Sequence, residues 1–274
     1  MVFFSIITVT YNAEKEIIST LDSIFSQTCS AFEFVLIDGK SSDNTVEMVN
    51  DYICSHGRLE VESKIISEKD SGIYNAMNKG IDCSNGKYVV FLNSGDRFVD
   101  ENVLEKARAF IEQYGGDIVY GDTILSLNGL SKYVKAKSID NIIEEMPFCH
   151  QSTFTSNSVL KSIRYDESYR VCADHDLYTR AYLAGHRFIH MDLAVAVYPM
   201  GGFSATDDAL IYWKERAKVA FTYGGYSDEE YSQRIRELEK YKQKRTFINK
   251  IKTFIPSFIL SYRRKRVLKK EGWH

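Results

Sequence analysis

The chain opens on an unbroken apolar, β-branched run, Phe3–Thr10, of the kind a strand buried on both faces requires. Polar residues follow, with Asn12 offered as a helix cap, and then Ile17, Ile18, Leu21, Ile24 and Phe25 recur at helical spacing. The alternation repeats. Strands are predicted over Phe32–Ile37, Leu59–Ser67, Tyr88–Leu92 and Asp117–Tyr120. Between them helices are predicted over Asn44–Ile53, Ser71–Cys83 and a segment capped by Asp100. Strands separated by helices of this length imply right-handed crossovers and a mostly parallel sheet flanked by helices. Beyond residue 122 the pattern loosens. Strands are expected over Ser131–Ala136 and Phe188–Val197, a mixed polar and apolar stretch over Cys149–Ser156, and a loop over Pro199–Ser204. Helices are expected over Asp174–Ala184, Trp213–Tyr223 and Asp228–Lys250.

In open α/β sheets ligands sit beyond the carboxyl ends of the strands. Those ends are polar and repeatedly acidic here: Thr10-Tyr11-Asn12, Asp38-Gly39, Ser67-Glu68-Lys69-Asp70, and Asn93 to Asp96. The first turn lacks the Gly-x-Gly-x-x-Gly of a dinucleotide fold, which argues against an oxidoreductase.

Composition adds one fact that the pattern does not. The chain has 274 residues and a formal charge of −2, but residues 234–270 hold 14 of its 35 Lys and Arg. An acidic body thus carries a basic tail. In that tail Phe247, Ile248, Ile251, Phe254, Ile255 and Phe258 recur at helical spacing, broken by Pro256, ahead of Arg263–Arg266 and Lys269–Lys270. Such a segment suits a membrane surface, or a contact with the protein's own body or a second copy. The apolar stripe and the acidic body argue against nucleic acid. The five scattered cysteines suit reduced thiols, and the N-terminus has neither the basic flank nor the cleavage site of a signal peptide. A cytoplasmic protein, peripheral at the inner face of the membrane, is expected.

Five segments together resemble the inverting glycosyltransferases of family 2, of the bacterial polysaccharide and glycolipid type. They are Thr8-Val-Thr-Tyr-Asn12, Asp38-Gly-Lys-Ser-Ser-Asp-Asn-Thr45, the run Glu68–Gly80, Leu92-Asn-Ser-Gly-Asp96 and Ala173-Asp-His-Asp-Leu177. The resemblance spans roughly residues 3–205. It implies a GT-A (Rossmann-like) α/β fold and transfer of a sugar from a nucleoside diphosphate, UDP above others, to an acceptor hydroxyl. The chain then divides into a nucleotide-sugar half (1–122), an acceptor and catalytic-base half (123–225) and a basic helical tail (226–274). The runner-up is a catalytically weak nucleotide-sugar-binding or scaffold protein at the membrane.

Residue roles follow from the resemblance and from chemistry. A uracil-type base presents an N–H that a carboxylate accepts. Asp38 is the natural candidate, with Tyr11 over the base face and Asp70 nearby; Thr10, Asn12 and Asn93 complete the nucleotide side. Ser41, Ser42 and Asp43 read equally as helix-capping residues. Lys79 is either a phosphate ligand or part of a solvated helix face. The diphosphate needs a counter-charge, and Mg²⁺ or Mn²⁺ on carboxylate oxygen is expected to supply it. Asp96 is the metal ligand implied; Gly95 stands where the family often has a second acid. Asp174 matches the family's catalytic base, and a single base suits an inverting displacement. Asp176 is structural or an acceptor contact, and His175 a packed or exposed histidine. His150 and Gln151 line the acceptor or diphosphate side, with a satisfied structural histidine as the other reading of His150. The acceptor is expected to be a sugar, and the basic tail would suit a lipid-linked one.

Overall fold

The computed structural model describes residues 2–200, 209–252 and 271–273, with side chains in the second segment described for 210–241. The fold is α/β. Strands β1 (Phe4–Thr10), β2 (Phe32–Asp38), β3 (Ser63–Ser67) and β4 (Tyr88–Phe91) lie parallel in the order β3-β2-β1-β4. Helices α1 (Ile17–Phe25), α2 (Thr45–His56) and α3 (Ile73–Cys83) make the crossovers. Successive apolar residues explain why β1, β2 and β4 are buried on both faces. Phe4, Ile6, Phe34, Leu36 and Val90 enter one core with α1 and with α4 (Val103–Tyr114). Ile7, Val9, Val35, Ile37 and Phe91 enter the other, with α3. Gly80 lets α3 approach the sheet: a Cβ there would stand 2.5 Å from Ile7 Cγ2.

The second half makes the sheet mixed. Strand β6 (Ile118–Leu127) forms a hairpin with β7 (Leu130–Val134), and β8 (Thr153–Ser156) runs antiparallel between β4 and β6. Strand β9 (Phe188–Pro199) pairs parallel with β6 and carries the short β5 (Arg97–Phe98) antiparallel on its far side. The parallel order expected from the alternation therefore holds for the first four strands. Beyond them β4 and β6 are joined through the antiparallel β8, which arrives by a loop and short turn and not by a crossover helix, while β9 again pairs parallel with β6. Helix α5 (Asn157–Ile163), which the reading of the sequence did not separate, follows β8, and α6 (Ala173–Leu183) packs beside it. Helices α7 (Ala209–Thr222) and α8 (Asp228–Lys252) pack on each other.

Three local expectations change. Asn12 is not a helix cap: it has φ +49°, and α1 starts only at Ile17. Leu59 is fully exposed in a turn, so the third strand is shorter than the apolar run suggested. Asp100 accepts the Asn102 N–H at 2.7 Å, one turn before α4 begins. Among the described residues no helix is long and apolar enough to cross a membrane. The apolar stripe from Phe247 and the Arg263–Lys270 cluster lie outside the residues whose side chains are described, as does most of the Pro199–Ser204 loop.

Candidate active site

Each strand end contributes through a hydrogen-bonded turn. Asp38 is fully buried. It accepts the Ser41 N–H at 2.9 Å, the Ser41 hydroxyl, and the Ser67 hydroxyl at 2.6 Å. Asn12 joins the same web, accepting the Ser42 N–H at 2.8 Å while its own N–H donates to Ser41. Asp43 accepts from Thr45 and from the Glu14 N–H. The Asp38–Thr45 segment is thus a stitch that holds the loops after β1 and β2 together. Asp70 stands above it. Its Oδ2 would lie 2.6 Å from a Cβ on Gly39, and its other oxygen accepts the Gly72 N–H at 3.0 Å. Tyr11, Gly39, Lys40, Lys69 and Asp70 wall a cleft of about 290 Å³. Tyr11 is 64% exposed there, an unusual loss of apolar burial unless a flat partner covers the ring. Lys79 pairs with Glu68 at 2.7 Å and donates to the Lys69 carbonyl at 3.0 Å, so it braces the rim of this cleft.

The second group lies at the end of β4. Gly95 turns the chain with φ +95°, a conformation that disfavours a side chain, which gives a physical reason why no second acid stands there. Asp96 is 3% exposed and accepts the Asn93 N–H at 3.2 Å, and the nearby Gln151 favours its charged form. Burial pushes its carboxyl up to about 7. A carboxyl so buried is relieved either by its proton or by a cation beside it.

The third group comes from the antiparallel half. A short turn, His150–Ser152, leads into β8, and α6 begins at Ala173. The two meet where His150 Nδ1 lies 3.2 Å from Asp174 Oδ2. The other Asp174 oxygen accepts the His175 N–H at 2.8 Å. Burial would raise the Asp174 carboxyl, but interactions with His150 and the hydrogen bond from the His175 N–H outweigh it and hold the group below its ordinary 3.8. Its place in the first turn of α6 also suits a negative charge. Asp174 is therefore an ionised carboxylate, and its side chain is about one-fifth exposed. Asp176 is buried and spent on Arg180 (2.7 Å) and the Tyr223 hydroxyl (2.7 Å), tying α6 to the end of α7. His175 is buried with Nε2 2.5 Å from the Ile142 carbonyl.

Unused polar atoms mark where the groups converge. Among the described residues five buried side-chain polar atoms have no partner: Thr10 Oγ1, Asn93 Oδ1, Ser94 Oγ, His150 Nε2 and the Tyr165 hydroxyl. The first three stand at the ends of β1 and β4, and His150 is beside the Asp96 partner Gln151. A buried unsatisfied group costs about 1–3 kcal/mol, so the unpaired atoms at the ends of β1 and β4 suit a polar ligand there. A larger hollow of about 360 Å³ is walled by residues such as Ser19, Asp22, Arg97 and Asp100.

Several features were not readable beforehand. Glu167 accepts from Asn75 (3.0 Å) and Asn78 (2.9 Å), which anchors the Glu68–Gly80 segment to the loop before α6. Asp122, His190 and Asp192 gather where β9 slips register against β6, and their ligand atoms lie within 4.8 Å of one another, close enough to hold a divalent cation. Asp122, however, already accepts from Tyr133, the Ala136 N–H (2.8 Å) and His190 (2.9 Å), and Asp192 pairs with Lys135. No local sequence signal announces either cluster, because each joins residues dozens of positions apart.

A mixed sheet whose parallel strands end in polar residues, a buried acid and an ionised one, and an open cleft walled by Tyr11 define an α/β enzyme with its site at the strand ends. Residues 5–178 match the model of glycosyl transferase family 2, and the chain belongs to that family: it is an inverting glycosyltransferase that moves a sugar from a nucleotide sugar to an acceptor. It is 34% identical over 209 residues to a PGL/p-HBAD biosynthesis glycosyltransferase of Mycobacterium bovis, covering 74% of this chain and 79% of that one. It is 30% identical to the amylovoran biosynthesis glycosyltransferase AmsB of Erwinia amylovora, covering 72% and 69%. In fold it is similar to Staphylococcus aureus TarS 1–349 in complex with UDP-GlcNAc, with TM-score 0.64, 23% identity and 86% of this chain and 71% of that chain covered. It is likewise similar to the mannosyltransferase PcManGT of Pyrobaculum calidifontis in complex with GDP-Man and Mn²⁺, with TM-score 0.64, 16% identity and 87% and 69% covered.

Proposed function

We propose that this glycosyltransferase takes a UDP-sugar, uses Mg²⁺ or Mn²⁺, and extends a surface polysaccharide or glycolipid. The polar ends of β1 and β4, which hold the unpaired atoms of Thr10, Asn93 and Ser94, together with the exposed Tyr11 and an ionised Asp174 held by His150, carry this reading. In it residues 1–122 bind the donor and 123–225 the acceptor. Tyr11 stacks on the base. Asp70, with an oxygen left free toward the cleft, reads the base N–H, and Asp38 holds the turn beneath it. Asp96 would hold the cation, whose charge neutralises the diphosphate as it leaves. Asp174 takes the proton from the acceptor hydroxyl while that oxygen attacks the anomeric carbon opposite the diphosphate, which inverts the configuration. The relatives acting in glycolipid and exopolysaccharide synthesis support the acceptor class. Release of UDP from UDP-sugars, against GDP- and dTDP-sugars, tests the donor. Turnover of UDP-sugars with Mn²⁺ and a glycan or glycolipid acceptor is expected; binding without turnover across such acceptors would favour a scaffold.

The same reading places the enzyme at the cytoplasmic face of the membrane through its basic tail. Each basic residue at an anionic surface contributes about 1 kcal/mol. Replacing Arg263, Arg264, Lys265 and Arg266 together with Ser should then lower binding to anionic vesicles by roughly a hundredfold or more. Equal flotation of the variant and the native chain would remove the membrane role.

A further inference from the structure

His150 stands between β4 and α6, at the join of the two halves of the site. Its Nδ1 faces the Asp174 carboxylate at 3.2 Å. Its Nε2 is buried and has no partner. The turn that holds His150 packs on β4, whose carboxyl end leads to Asp96, and His150 and Gln151 both favour the charged form of that carboxyl. Asp96 lacks a second acid beside it, since Gly95 occupies the turn. A divalent cation held by one carboxylate and a diphosphate is short of protein ligands. A histidine that donates one ring N–H to a carboxylate and keeps the other nitrogen free is the arrangement by which proteins orient a metal-binding imidazole.

We propose that His150 Nε2 is the second protein ligand of the diphosphate-bound cation, beside Asp96, and that Asp174 fixes the tautomer that leaves Nε2 free. This rests on the reading above that Asp96 holds a cation. It gives Asp174 two tasks, one on the acceptor and one through His150. It also explains why a buried histidine nitrogen goes unpaired. The Asp122, His190 and Asp192 group lacks such an atom on its buried member, because Asp122 is saturated by protein donors.

Mn²⁺ titration of the full chain, followed by loss of the free-ion paramagnetic resonance signal with UDP present, separates the possibilities. His150→Asn keeps a donor where Nδ1 stands and removes the ligand where Nε2 stands. It should weaken Mn²⁺ at least tenfold while UDP binding without metal stays unchanged. His150→Gln, whose amide oxygen reaches toward the Nε2 position, should recover part of the loss. Asp174→Asn should weaken Mn²⁺ by about tenfold through the imidazole. Melting curves confirm that each variant is folded. Unchanged Mn²⁺ affinity in His150→Asn would overturn the proposal and leave His150 as a positioning residue for Asp174. Loss of metal-free UDP binding in that variant would overturn it in favour of a direct phosphate contact. No UDP binding by the native chain would instead bring down the donor reading, and this proposal with it.

Discussion

Replacing Asp174 by Asn should lower sugar transfer by about 10²–10⁴-fold, the range a positioned general base contributes, while metal-free UDP binding is retained. The substitution is nearly isosteric. An Asn oxygen can still accept the His175 N–H that Asp174 now accepts at 2.8 Å. What disappears is the charge. Asp174 is held ionised by His150 and by the His175 amide against the cost of its burial. An amide at that position has no basic lone pair for the acceptor proton. The acceptor hydroxyl would then attack with its proton in place, and the barrier rises accordingly. Side-by-side measurement of transfer and of UDP affinity checks this. Transfer within threefold of the native rate would remove Asp174 as the base.

Asp96→Asn is expected to act in opposite directions on activity and stability. Transfer should fall by roughly 10²–10³-fold, because the charge clamp on the leaving diphosphate is worth several kcal/mol. The metal-free fold should gain roughly 1–3 kcal/mol near neutral pH. The sign follows from the Asp96 carboxyl being pushed up to about 7 by burial. A carboxyl whose folded-state pKa lies above its unfolded value binds its proton more tightly in the native state. Metal-free stability therefore declines as pH rises from about 4 to 7 and stays low above that. An amide has no such slope. Melting temperatures across this range, with and without Mn²⁺, separate a functional acid from a structural one. A lower melting temperature for Asp96→Asn at pH 7.5 would identify Asp96 as a structural acid instead.

The donor half was legible because its signals are local. Strands β1, β2 and β4 are apolar on both faces, and each ends in a short polar stretch, so their order and the position of the cleft follow from periodicity and the parallel-sheet rule. What periodicity did not convey is which atoms of the turns are free. Asp38 looks like an open carboxylate in sequence, yet three donors from Ser41 and Ser67 enclose it. Asp70, three residues beyond the predicted third strand, keeps the free oxygen. Asn12 follows the apolar strand as a cap would, but its φ of +49° belongs to a turn stitched to Ser41 and Ser42. The acceptor half was harder for a topological reason. Strand β8 inserts antiparallel between β4 and β6 and so carries His150 to Asp174, 24 residues away in sequence. Both residues could be singled out separately; their contact depends on a sheet order that no local pattern encodes.

A crystal of the full chain soaked with UDP and Mn²⁺ tests the central claim most directly, that the donor lies across the carboxyl ends of β1 to β4. The uracil is expected against Tyr11 with its N–H on Asp70, and the diphosphate and cation at Asp96, facing His150 and within reach of Asp174. Nucleotide density in the hollow walled by Asp22 and Asp100, or anywhere else away from the Tyr11–Asp70 cleft, would contradict it.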